Sequence, residues 1–112
     1  MYVELSAIKE DLKQLKKELQ CSHFRIIGGM AKRGKSKKDV DVIFQSGKGI
    51  NKLKPILRKW NEIFKAKYGI FLHAYVERER SETIYDFIGS NNIIRRKPSL
   101  PPPKEITEKP LE

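Results

Sequence analysis

A small α/β domain of the α+β kind, with a mixed sheet of three to four strands and helices packed on one face, follows from three features of the sequence. Two stretches repeat apolar residues at helical spacing, and two others alternate at period two. Glycines and a proline-rich end mark the breaks between them. At 112 residues the chain is long enough for one modest core but not for two.

The first helical stretch lies within residues 1–20. Leu5, Ile8, Leu12, Leu15 and Leu19 recur at alternating spacings of three and four, with lysines and glutamates between them. The stripe also fits heptads, but it is short and a sheet follows at once, so it is expected to pack on that sheet. Ser22 to Ile27 reads as a short strand ending in Gly28-Gly29. A basic loop, Met30 to Lys38, leads to the second strand, Asp39 to Phe44. There Val40, Val42 and Phe44 face one way, while Asp39, Asp41 and Ile43 face the other.

Ile50, Leu53, Leu57, Trp60 and Phe64 predict a second helix beginning near Asn51, with Pro55 in its first turn and Gly69 as its left-handed cap. Ile70 to Glu77 alternates again. Leu72, Ala74 and Val76 share one face, and Phe71, His73, Tyr75 and Glu77 the other. Ser81 is expected to cap a short helix that runs through Ile88 and stops at Gly89. Five of the six prolines follow Lys97, so residues 97–112 are expected to form an extended or disordered tail on a domain of residues 1–96. Pro98-Ser99-Leu100-Pro101 fits a PxxP pattern that is common by chance.

Lys and Arg number 24 against 14 Asp and Glu, for a net charge of +10, which favours a polyanionic partner, nucleic acid before an anionic membrane surface. The single cysteine, Cys21, excludes a disulfide framework. With no apolar run long enough for a membrane span or signal sequence, a soluble intracellular (cytoplasmic) protein with no membrane partner is expected.

The residues that carry chemistry are Asp39 and Asp41. At i and i+2 on a strand they project side by side, and two such carboxylates repel unless a cation lies between them. Paired glycines let backbone N–H groups approach a phosphate. Together with the basic loop, they point to metal-assisted chemistry on a nucleotide. Gly29 to Ser36 also matches the P-loop pattern G-x4-G-K-S. Only Lys37 and Lys38 separate Ser36 from the alternating run, so the helix that a P-loop requires has no room.

The order Ile27-Gly28-Gly29, nine residues, then Asp39-Val40-Asp41-Val42 resembles the nucleotidyltransferase superfamily of polymerase β. It is most similar to the palm of family X DNA polymerases, whose pattern runs approximately G-G-x-x-R-G-K-x-x-x-x-D-V-D. Here Arg33-Gly34-Lys35 is displaced by one position in a loop of equal length. Phe87-Ile88-Gly89-Ser90 is similar to a later F-T-G-S segment of that family. The resemblance spans roughly residues 5–96 and is strongest over 26–44.

It implies that Asp39 and Asp41 hold Mg²⁺ or Mn²⁺ and that Gly28 and Gly29 approach the triphosphate of a nucleoside triphosphate. Lys32, Arg33, Lys35 and Ser36 would then meet its phosphates. The superfamily commonly places a third carboxylate on a later strand, where this chain has His73. His73 is expected beside the aspartates as an ordinary half-buried strand residue. Glu77 is the one carboxylate on its face, about 13 Å further along. A protein partner, or a second copy in a homo-oligomer, could then supply the missing ligand. Two functions fit: a minimal nucleotidyltransferase acting on a nucleic-acid end or a protein hydroxyl, and a non-catalytic module binding nucleic acid or a partner. The loop lysines with Arg33, and Arg95-Arg96-Lys97, are the expected phosphate contacts.

Overall fold

The computed structural model describes residues 1–77, 84–97 and 108–111. Its elements follow in the order β1 (Val3–Glu4), α1 (Leu5–Leu19), β2 (Cys21–Ile27), α2 (Gly28–Arg33), β3 (Lys35–Ser36), β4 (Asp39–Ser46), α3 (Ile50–Tyr68), β5 (Phe71–Glu77), β6 (Ile84–Ile88), β7 (Ile93–Lys97) and β8 (Glu108–Pro110). The architecture is mixed α/β, as expected. The sheet is larger than three to four strands, with six in the order β7-β6-β5-β4-β2-β8, plus a two-stranded β1-β3 pair.

The extra strands come from segments whose sequence gave other expectations. Ile84–Ile88 is a strand antiparallel to β5 and not the end of a helix, while Ser81 lies outside the described residues. Lys97 closes β7 rather than opening the tail. Within the expected tail, Glu108–Pro110 is extended and pairs with the edge of β2. An edge strand tolerates a proline, because one row of its N–H groups has no ladder partner to lose. The PxxP segment lies outside the described residues.

The leucine stripe of α1 is buried along its whole length, and so are Leu53, Leu57, Trp60 and Phe64 of α3. They join Ile26, Val40, Val42, Phe44, Leu72, Ala74, Val76 and Phe87 in one core, so the helices cover a single face of the sheet. α3 begins one residue earlier than expected, which places Pro55 in its second turn. Gly69 caps it at φ 71°, its N–H donating to the Lys65 carbonyl at 3.0 Å. The helices are also tied laterally: Asp11 accepts from Lys67 at 2.8 Å and from the Tyr68 hydroxyl, and Glu18 from Lys59 and the Trp60 indole.

One buried polar residue governs how β5 and β6 meet. Asn61 accepts the Leu72 N–H at 2.9 Å and donates to the Gly89 carbonyl at 3.0 Å, while the Gly89 N–H donates to the Leu72 carbonyl at 2.9 Å. A Cβ on Gly89 would overlap both the Asn61 side chain and the Leu72 carbonyl, so only glycine fits this junction. Asn61→Leu leaves the Leu72 N–H and the Gly89 carbonyl buried without partners. It should lower stability by about 1–3 kcal/mol in a urea melt, and an unchanged midpoint would contradict that role.

Candidate active site

β4 and β5 run parallel, joined by the α3 crossover, with Asp39 opposite Phe71, Asp41 opposite His73 and Gln45 opposite Glu77. Burial fixes which face of the sheet each side chain takes. Val40, Val42 and Phe44 must share the helix-covered face with Leu72, Ala74 and Val76, and a slip of one residue would turn every side chain over. Asp39, Asp41, His73, Tyr75 and Glu77 therefore occupy the opposite face. His73 is beside Asp41, as expected. Glu77 is four residues along, opposite Gln45, and cannot complete a site at Asp41.

The segment between β2 and β4 is more ordered than the cationic loop read from the sequence. Gly28 to Arg33 form the short helix α2, whose Met30 is buried in the core. Lys35 and Ser36 pair with Glu4 and Val3, so no helix opens where a P-loop needs one. Gly28 has φ +68°, and a Cβ there would overlap the Oδ2 of Asp41. Backbone and carboxylate are thus in close approach, which accounts for a glycine at this point. The Arg33 guanidinium lies against Gly29, where a Cβ would strike it. Lys35 and Lys37 flank the Tyr2 ring at 4.8 and 4.9 Å, and the Ser36 hydroxyl accepts the Asp39 N–H at 3.4 Å. Ser36 is thereby turned toward the backbone of β4. Lys32 is an exposed residue of α2.

Burial and the neighbouring Asp41 push the Asp39 carboxyl above its usual range, against the lowering influence of His73 and Lys38. The Asp41 Oδ1 is 3.4 Å from the Nδ1 of His73.

On its other side the His73 Nε2 contacts the Oδ1 of Asp86, a residue that sequence reasoning did not bring into the site. Asp86 is on β6 opposite Tyr75, its side chain 0% exposed. Its Oδ2 accepts from Arg95 at 3.0 Å and from Lys97 at 3.1 Å, both on β7. Burial alone would raise the Asp86 carboxyl, but hydrogen bonds from Arg95, His73 and Lys97 hold it below its usual range. Burial likewise opposes charge on His73, and the two carboxylates outweigh it, raising the imidazole above its ordinary value. Two of the three cations in Arg95-Arg96-Lys97 are thereby engaged with Asp86. The one signal for Asp86 was the run Ile84-Tyr85-Asp86-Phe87-Ile88, a carboxylate central to an apolar segment, which a solvent-facing helix would not require.

Among the described residues, no three ligand-type side chains are already gathered as a metal site, and no helix is long and apolar enough to cross a membrane. Comparisons of the chain with protein-family models, with curated proteins and with solved structures found no match.

Proposed function

We propose that the chain is a minimal metal-dependent nucleotidyltransferase of the polymerase β-like kind, transferring a nucleotide from a nucleoside triphosphate to a hydroxyl. The observation that carries this is the meeting of Asp41 with Gly28, with Asp39 alongside on the same strand face. Carboxylate oxygens suit Mg²⁺ or Mn²⁺, and a bound cation would relieve the Asp39 carboxyl, which burial and then the neighbouring Asp41 raise. Asp39 and Asp41 would hold the metal. When bound, it supplies neutralisation of phosphate charge and activation of the acceptor hydroxyl. The space at Gly28 and Gly29 is taken by the Asp41 carboxylate and the Arg33 guanidinium, and Arg33, folded over Gly29, would be a bidentate cation for a phosphate brought to Asp41. Titration with Mn²⁺ tests the proposal: wild type should bind, and Asp39→Ala and Asp41→Ala should each lose most of the affinity. Equal binding by all three would overturn it.

A second reading, a non-catalytic module on the same fold, is favoured by one observation. The His73 imidazole, which the carboxylates of Asp41 and Asp86 raise toward its charged form against burial, stands 3.4 Å from Asp41, where its protonated form can neutralise that carboxylate without a metal. In either reading nucleic acid is the partner that the net charge favours, through Lys32, Arg33, Lys35, Lys37 and Lys38. Binding should weaken with salt at a log–log slope of about −0.9 per phosphate neutralised on duplex DNA. Changing those five residues to glutamine should flatten the slope. A flat dependence in wild type would count against nucleic acid as the partner.

A further inference from the structure

His73 is held as a ligand would be held. Its Nε2 is fixed by Asp86, whose other oxygen is clamped by Arg95 and Lys97, and the Tyr75 ring packs beside the imidazole with centroids 4.7 Å apart. Burying a carboxylate beneath an arginine, a lysine and an imidazole is a costly way to stabilise a sheet. It is an effective way to fix one ring nitrogen, and metal-binding histidines commonly have their second nitrogen fixed by a carboxylate in this manner. The remaining nitrogen, Nδ1, points to Asp41 across 3.4 Å. Two ligands each about 2.1 Å from one ion are roughly 3.0–3.4 Å apart, so Nδ1 and the Asp41 Oδ1 are spaced to share one. On this face of β5 the only carboxylate is Glu77, which is opposite Gln45.

We propose that His73 is the third metal ligand, through Nδ1, and that the site Asp39-Asp41-His73 takes Mn²⁺ or a similar first-row transition ion in preference to Mg²⁺. This rests on the reading of Asp39 and Asp41 as a metal pair. The preference follows from ligand chemistry. Mg²⁺ strongly favours oxygen donors in a near-ideal octahedron, whereas imidazole suits transition ions and carboxylates suit Mn²⁺. Asp86 acts through His73, as a positioning residue.

The deciding experiment is pulsed electron paramagnetic resonance on Mn²⁺ bound to the wild-type 112-residue chain, which needs no variant to fold. Nitrogen-14 modulation from a coordinated imidazole is expected. His73→Asp should abolish it and shift the Mn²⁺-to-Mg²⁺ affinity ratio toward Mg²⁺ by about tenfold or more. Asp86→Asn should weaken Mn²⁺ binding about 10- to 100-fold under conditions where its circular dichroism matches wild type. Mn²⁺ binding that depends on Asp41 yet shows no nitrogen modulation overturns the role of His73 and leaves the carboxylate pair standing. Absence of any Mn²⁺ binding overturns the pair itself, and the proposal with it. Unchanged Mn²⁺ affinity in a folded Asp86→Asn overturns the positioning role.

Discussion

Asp86→Ala is expected to destabilise the fold by about 3–5 kcal/mol, a large share of the stability of a domain this size. The side chain is fully buried and both its oxygens are engaged, so its loss leaves Arg95 and Lys97 side by side without their counter-charge and frees the Nε2 of His73. Repulsion between the two cations should loosen the β5-β6-β7 half of the sheet first. The same carboxylate makes the fold acid-sensitive. Its folded value lies below the ordinary aspartate value of 3.8, so its contribution is complete above about 3.8 and is lost as pH falls through the lower folded value. Chemical denaturation of the metal-free protein at pH 6 and pH 3 measures both effects. A loss below about 1 kcal/mol at pH 6 would mean that Arg95 and Lys97 are solvated well enough to do without Asp86.

The second large effect is expected at Gly28. Alanine there meets two obstacles, a left-handed φ of +68° and the Oδ2 of Asp41. The first costs about 1–2 kcal/mol. The second must displace the carboxylate, so Mn²⁺ affinity should fall at least about tenfold, since metal ligands tolerate little movement. Gly34 supplies the control. It has φ +74° but nothing within 4 Å of a built Cβ, so Gly34→Ala should show the stability cost without the loss of metal. Equal Mn²⁺ affinity in wild type and Gly28→Ala would separate that glycine from the site.

How far the sequence foretold this arrangement depended on whether local pattern or long-range pairing set each element. α1 and α3 were legible because every third or fourth residue had to be apolar to reach the sheet, and the structure buries those residues. β4 and β5 were legible for the same reason at period two, which put Asp39, Asp41, His73 and Glu77 on one face but allowed either of the last two beside Asp41; pairing with β4 places His73 there.

β6 was not legible. Ile84, Tyr85, Phe87 and Ile88 show neither period clearly, and Ser81 with Gly89 imitates a helix cap and stop. The strand is set by pairing along β5 and by Asn61 holding Gly89. Asp86 was missed with it, because its three partners come from β5 and β7. α2 has two glycines in six residues and little propensity of its own, and the buried Met30 anchors it. β8 ends in Pro110, which composition assigned to a tail and which only pairing with the edge of β2 makes a strand.

The proposed activity is tested most directly by transfer of labelled nucleotide. The 112-residue chain is incubated with Mn²⁺ or Mg²⁺, each α-labelled nucleoside triphosphate in turn, and a mixture of single-stranded and duplex nucleic-acid ends, with label on the protein itself also scored. Metal-dependent transfer of label with release of pyrophosphate is predicted, and its loss in Asp41→Ala and Asp39→Ala at unchanged fold. Transfer that persists in both variants, or its absence from a wild-type protein that binds Mn²⁺ and nucleotide, would contradict the assignment of Asp39 and Asp41 as a catalytic metal pair.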